Sequence, residues 1–265
     1  MVKILKNLFS NKTYLVTGST GYIGSYISNE LNLNRVNLIL LDQNENKLID
    51  QKKKLKKYSN KIKIYKCDFT NEQERFDVIK KIKIENKVID CILNNAALVG
   101  DSNLKGWNEK LDKQSIDTWN KSLEVNLTSV FHICKELKGL LKRGKNPNII
   151  NFSSIYGVIA PDFNLYKSLK INNPAAYSVS KSGLIHLTKW LASSLAPKIR
   201  VNSISLGGIK RKQSKIFQKR YNQTTLLKRM CTEEDVMGAV IYLSSDLSKY
   251  VTGSNLVLDG GKSII

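Results

Sequence analysis

Cysteine, histidine and proline are scarce in this 265-residue chain, which holds four, two and four of them. The cysteines, at positions 67, 91, 134 and 231, form no CxxC pair and have no histidine cluster beside them, so neither a zinc site nor a disulfide framework is signalled. Buried reduced thiols are the expected state. His132 and His186 sit in helical patterns beside apolar neighbours and read as structural, so no metal is expected. No apolar run approaches the roughly 18 residues of a membrane span. The opening MVKILKNLF has too short an apolar core for a secretory signal, so the expectation is a cytoplasmic protein without membrane association. No Pro-rich or Gly/Ser-rich linker, repeat or low-complexity stretch divides the chain, which reads as one domain over residues 1–265.

Acidic residues are also few: 22 against 43 Lys and Arg, a formal charge of +21. Such a balance raises nucleic acid, an anionic surface or an acidic substrate as partners. The charge is mostly lysine spread over the whole chain, together with abundant Asn and Ile, which also fits a residue bias imposed across a proteome. The densest run, QKKKLKKY at 51–58, falls where a solvated helix face is expected. A nucleic-acid-binding protein would show affinity falling steeply with salt. The chain lacks an aromatic and basic recognition motif, so nucleic acid is not the expected partner.

Short β-branched runs alternate with longer helical patterns from Thr13 onward, the mark of βαβ units around a parallel sheet. TYLVTG, VNLILLD, KIKIYKCD, VIDCILNN, PNIINFSS, IRVNSIS and NLVLD are seven strand candidates. Stretches from Ile116 to Leu141 and from Ala175 to Leu195 carry apolar residues at helical spacing. The predicted fold is α/β, a single Rossmann-type doubly wound parallel sheet with helices on both faces. Gly100 to Ser115 and Gly207 to Met230 resist assignment; both follow strand carboxyl ends, the edge on which such sheets place ligands.

The first strand runs into Gly18, Thr20, Gly21, Tyr22, Ile23 and Gly24 and then a helix. Glycines there allow a tight turn and bring backbone amides to a pyrophosphate at the helix amino terminus. Asp42 stands at the end of the second strand, 18 residues beyond Gly24. A carboxylate there accepts hydrogen bonds from both ribose hydroxyls and repels a 2′-phosphate, which favours NAD over NADP.

The remaining motifs resemble, in order and spacing, the short-chain dehydrogenase/reductase family, over nearly everything from Thr13 to Gly261. Asp68 and Phe69 in KCDFT look like the adenine-side element after the third strand. Asn94, Asn95, Ala96 and Ala97 resemble the family's NNAG element, Asn126 its helix asparagine and Ser154 its catalytic serine. Gly207, Gly208 and Ile209, and the closing TGSNLVLDGG, are similar to its last two strand motifs. The chain departs from the pattern in its TGxxGxxG spacing, in Ala97 for the usual Gly, and in Leu206 for the usual Pro.

Two tyrosines fit the family's YxxxK pair, Tyr166 with Lys170 and Tyr177 with Lys181. With 11 tyrosines and 43 basic residues, roughly one or two such pairs arise by chance. Periodicity separates them: Tyr177 and Lys181 project from one face of an amphipathic helix, whereas Tyr166 precedes Asn172-Asn173-Pro174 and reads as loop. Residues 161–173 then read as an insertion beside the substrate.

A phenol titrating near pH 10 is a poor base at neutral pH. An ammonium one turn away, with the positive nicotinamide ring, favours the phenolate. Tyr177 can then take or give the proton at the substrate oxygen. Ser154 is expected to hydrogen-bond that oxygen, and Lys181 to hold the nicotinamide ribose. By resemblance, Asn126 keeps a water linking Lys181 to solvent. Residues 207–230 are the expected substrate lid, where Lys210, Arg211, Lys212, Lys215, Arg220 and Arg229 are candidates for a phosphate, carboxylate or nucleotide-sugar group, or are solvated helix charges. The runs NFSSIYGVIAPDF, INNPAAYSVSKSGLIHLTKWLA and IRVNSISLGGI resemble a subgroup associated with flagellin modification and surface-sugar synthesis, which implies a sugar or nucleotide-sugar substrate. The resemblance also implies a homodimer or homotetramer. A catalytically inactive cofactor-binding regulator or scaffold is the alternative reading.

Overall fold

The computed structural model describes residues 9, 11–55, 61–99, 104–169 and 171–265. Of the sequence readings, most of the opening segment, residues 56–58 of the lysine run, residues 100–103 and Lys170 lie outside these. All seven expected strands are present: β1 Thr13–Thr17, β2 Asn37–Asp42, β3 Ile62–Lys66, β4 Cys91–Asn94, β5 Asn148–Ser154, β6 Arg200–Leu206 and β7 Asn255–Leu258. They form one parallel sheet in the order β3-β2-β1-β4-β5-β6-β7.

Strand side chains alternate between two cores. Leu15, Ile39, Ile92 and Ile149 face one side, where they meet helices α3 Glu72–Glu85, α5 Ser129–Leu141 and α6 Ala175–Leu195 through Ile79, Ile133 and Leu184. Their neighbours Val16, Leu40, Leu93 and Ile150 face the other, packed by α1 Tyr22–Leu33, α2 Glu45–Leu55 and α8 Glu233–Ser244 through Ile27, Leu48 and Val240. Both sheet faces are therefore covered, which is why strands such as β2 and β4 read as apolar runs.

The stretch from Ile116 to Leu141 is helical throughout but not uniform. Helix α4, Ile116–Leu123, passes through a π-turn at Glu124–Thr128 into α5. Asn126 lies in that turn. Helix α6 spans Ala175–Leu195, the limits that periodicity gives. Residues 207–230, unassigned from sequence, contain helix α7 Lys215–Gln223, capped by the Ser214 hydroxyl on the Phe217 amide. In the other unassigned stretch Trp107 is buried, and its indole N–H donates to the Val99 carbonyl at 2.8 Å.

The switch point of the sheet lies between β1 and β4, whose outgoing chains diverge to opposite faces. The turn after β1 is held there by backbone proximity. Gly18 adopts a φ of +61°, and a Cβ on Gly24 would lie 2.1 Å from the Gly18 carbonyl oxygen. Any side chain at Gly24 pushes α1 away from the turn. Gly24→Ala is expected to cost about 1–3 kcal/mol, whereas Gly139→Ala, on the open face of α5 with nothing within 4 Å, gains about 0.5–1 kcal/mol. Denaturant midpoints of the two variants measure this, and equal shifts of one sign would contradict it.

Candidate active site

Six strands deliver residues to one cleft of about 1010 Å³ along their carboxyl ends. Its size is at the upper end of the range of about 300–1,000 Å³ for small-molecule and cofactor sites. Gly18, Thr20, Gly21, Tyr22 and Ile23 line it after β1, Asp42 after β2, Asp68 and Phe69 after β3, and Asn95, Ala96 and Ala97 after β4. Ser154 ends β5, and Gly207, Gly208 and Ile209 follow β6. Tyr177 faces the same cleft from the first turn of α6. The sequence-predicted cofactor residues are thus brought together, with two qualifications. Gly24 supports the turn from behind through its contact with Gly18 and does not line the cleft, and Lys181 is buried against Tyr177.

The dinucleotide half is pre-organised by side chains bonded to backbone. One Asp42 carboxylate oxygen accepts the Thr20 amide at 3.0 Å and the other the Asn44 amide at 3.1 Å, which ties β2 to the glycine turn. Each oxygen retains a lone pair for a ribose hydroxyl. The Asn95 side-chain amide donates to the carbonyls of Thr17 and Gly18, at 3.1 and 3.0 Å. The Thr17 hydroxyl accepts the amides of Asn95 and Ala96, both at 3.0 Å. These bonds close the crevice at the switch point. The glycine turn, the α1 amino terminus and the Asp42 carboxylate at this depth fit a nicotinamide dinucleotide.

At the other end, Lys181 lies one turn beyond Tyr177 on α6, with its amine 5.9 Å from the tyrosine ring centre and donating to the Phe152 carbonyl at 2.7 Å. Burial lowers its pKa from 10.5 to about 7. Ser154 is buried, and its hydroxyl accepts the Tyr156 amide at 3.2 Å. The side chain of Asn126 is engaged by protein. Its oxygen accepts the Leu98 amide, and its nitrogen donates to the Leu98 carbonyl and to Ser180 and Ser122. It does not line the cleft; it fastens the loop after β4 to α4 and α6.

Tyr166 sits in a short 3-10 turn, Phe163–Tyr166, off the catalytic helix. It nevertheless lines the cleft, as do Tyr156, Asn173, Phe217, Tyr221 and Met230, none of which the sequence reading singled out. The sequence signals for this group were the YxxxK coincidence at Tyr166 and the reading of residues 161–173 and 207–230 as segments beside the substrate, neither of which points to these side chains individually. Among the six basic lid candidates, only Arg211 and Lys212 line the cleft. Arg211 stacks 4.6 Å over the Tyr22 ring and pairs with Glu233, while Arg229 grips Asp235 at 2.6 and 2.8 Å. Neither histidine lines the cleft, and the described residues hold no group of His, Cys, Asp and Glu suited to a metal.

A family model described as Enoyl-(Acyl carrier protein) reductase matches residues 18–263. Post-translational flagellin modification protein A of Campylobacter coli is 33% identical over 96% of this chain and 99% of its own length. The chain belongs to the short-chain dehydrogenase/reductase family. A solved short-chain dehydrogenase from Leptospira borgpetersenii with bound NAD+ superposes with a TM-score of 0.85 at 34% identity, covering 97% of this chain and 95% of that one. Sorbose reductase of Candida albicans is 29% identical over 96% of this chain and 89% of its own. As a short-chain dehydrogenase/reductase the protein is an oxidoreductase acting on CH–OH and C=O groups.

The buried amine of this short-chain dehydrogenase/reductase gives a pH signature. Between pH about 7 and 10.5 the unfolded chain binds a proton at Lys181 that the folded chain does not, so the cost of burying the amine is full below that window and is lost as pH rises through it. The difference in melting temperature between Lys181→Met and wild type is therefore expected to shift in favour of wild type from pH 6.5 to pH 9.5. A difference independent of pH, by scanning calorimetry, would contradict this.

Proposed function

We propose that this short-chain dehydrogenase/reductase uses NAD(H) to interconvert an alcohol and a carbonyl on a sugar or nucleotide sugar, in bacterial surface-glycan or flagellin modification. The observation that carries the chemistry is that Ser154 and Tyr177 line the same cleft, with the Lys181 amine 5.9 Å from the centre of the Tyr177 ring. The likeness to a flagellin modification protein supports the substrate class, and the NAD+-bound relative and the placement of Asp42 support the cofactor.

A nicotinamide dinucleotide supplies or accepts the hydride when bound. The chain's own residues manage the proton and the charge on oxygen. Ser154 donates a hydrogen bond to the substrate oxygen, where negative charge gathers in the transition state. Tyr177 gives that oxygen its proton in reduction and removes it in oxidation. In its protonated form, which burial confines to pH below about 7, the Lys181 amine is poorly screened and stabilises the phenolate form of Tyr177. Asn126 acts as a positioning residue that keeps the loop after β4 in place. We place the protein in the cytoplasm as a homodimer or homotetramer, a reading supported by exposed Phe131 on α5 and exposed Val179 and Trp190 on α6.

Tyr177→Phe is expected to lower kcat by about 10²–10⁴ while leaving the Kd for NADH, read by fluorescence titration, within about twofold. Turnover near wild type would overturn the role of Tyr177. Wild type is expected to bind NADH more tightly than NADPH, and Asp42→Ala to reduce that preference by roughly tenfold or more, the loss of hydrogen bonds to a charged group. Tighter binding of NADPH by wild type would overturn the assignment to NAD.

A further inference from the structure

The wall of the cleft beyond Ser154 and Tyr177 is built by two segments far apart in sequence. Residues 161–173 contribute Tyr166, Leu169, Ile171, Asn172 and Asn173, and the lid contributes Phe217, Tyr221 and Met230. They form one body: Leu165, Phe217, Tyr221 and Met230 make a small core of their own, with Tyr166 and Leu169 packed on it. The Tyr166 and Phe217 rings lie 5.7 Å apart, and Phe217 and Tyr221 6.0 Å. Arg220 on α7 locks the two segments by donating to the carbonyls of Asn164, Leu165 and Lys167.

Two phenols within this wall are hydrogen-bonded to each other. The hydroxyls of Tyr156 and Tyr166 are 3.0 Å apart, and the Asn173 amide donates to Tyr166 at 3.4 Å. Asn173 is buried and is itself fixed by the Ser178 hydroxyl at 3.1 Å. Whichever phenol donates to the other, one phenolic hydrogen is left over, beside unused acceptor lone pairs. One donor with adjacent acceptors matches an alcohol, which both gives and takes a hydrogen bond. A carboxylate or phosphate needs several donors or a cation when it leaves water.

Among the described residues no cation of 161–173 or 213–230 lines the cleft; the Lys262 amine, 5.1 Å from the centre of the Tyr221 ring, lies outside the lining and donates to the Thr224 hydroxyl. The cleft's described cations, Lys47, Arg211 and Lys212, belong to α2 and to the lid root, which Arg211 ties to Tyr22 of the glycine turn. Arg220 is held by the three carbonyls. Burial raises the pKa of both phenols, which keeps them neutral over the working range of pH.

We propose that Tyr156 and Tyr166, oriented by Asn173, form a subsite for a neutral, hydroxyl-bearing ring, so that the part of the substrate presented to Ser154 and Tyr177 is an uncharged sugar ring. Tyr166 is the specificity-determining residue, and its hydroxyl contacts a ring hydroxyl next to the reacting carbon. Aromatic faces beside the phenols cover the apolar C–H surface of such a ring. This rests on the oxidoreductase reading above and narrows its substrate.

The test compares NAD+ reduction with methyl D-glucopyranoside and methyl D-galactopyranoside, whose secondary ring alcohols are the groups to be oxidised, against methyl D-glucopyranoside 6-phosphate, in wild type and in Tyr166→Phe, which keeps the ring packed on Phe217. The neutral pyranosides are expected to exceed the phosphate at least tenfold in kcat/KM. Tyr166→Phe is expected to raise their KM about five- to tenfold, as for one lost hydrogen bond, with kcat and the Kd for NADH changed less than twofold. Preference for the phosphate, or an unchanged KM in Tyr166→Phe, overturns the subsite while leaving the oxidoreductase reading intact. If no pyranoside turns over, saturation-transfer NMR with methyl glucopyranoside and glucuronate on the NAD+-loaded protein decides. A glucopyranoside signal that exceeds that of glucuronate and is lost in Tyr166→Phe supports the subsite and locates the failure in the catalytic reading. Absence of that signal in wild type overturns the subsite.

Discussion

The contact between the α1 backbone and the turn after β1 governs what the rest of the molecule can do. With no Cβ at Gly24, the first helix starts directly over the Gly18 carbonyl, and the Asn95 side chain reaches across the switch point to that same oxygen. A parallel sheet of this order opens a crevice where β1 and β4 send their chains to opposite faces. Here the crevice is closed at its floor by side-chain to backbone bonds that involve Thr17, Asn95 and Asp42. These bonds fix the amides of the glycine turn before any ligand arrives, which lowers the ordering cost of binding.

Much of this was legible in the sequence, for reasons that differ between elements. Strands β2 and β4 could be read because both sheet faces are buried there, which forces apolar runs such as LILL in β2, whereas β3, β5 and β6 could be read from short β-branched stretches. Helix α6 could be read because one face packs on the sheet through Leu184 and Leu191 over 21 residues, long enough for its period to show. The same periodicity chose Tyr177 over Tyr166. Helix α7 was missed because it is short and polar, and its inward face consists of Phe217 and Tyr221 alone. Three apolar positions in nine residues, one of them the exposed Ile216, give no measurable period.

Features that depend on one side chain meeting a distant backbone atom leave no trace in local pattern. Lys181 bonds the carbonyl of Phe152, and Asn126 bonds both backbone groups of Leu98 from a π-turn that ordinary helical spacing does not announce. The family motif marks these residues as present. It does not say that the amide of Asn126 is consumed by the loop it supports. The tyrosine pair is of the same kind, since Tyr156 belongs to the turn after β5 and Tyr166 to the inserted segment.

Arg220 makes residues 161–173 and residues 207–230 interdependent, although about 50 positions separate them in the chain. A graft of the 161–173 loop into another scaffold of this family would arrive without the guanidinium that organises its carbonyls. Exchange of the lid alone would strand those carbonyls in the host. The two pieces consequently make a discontinuous structural module, and recombination between relatives can transmit it intact only when both descend from the same parent.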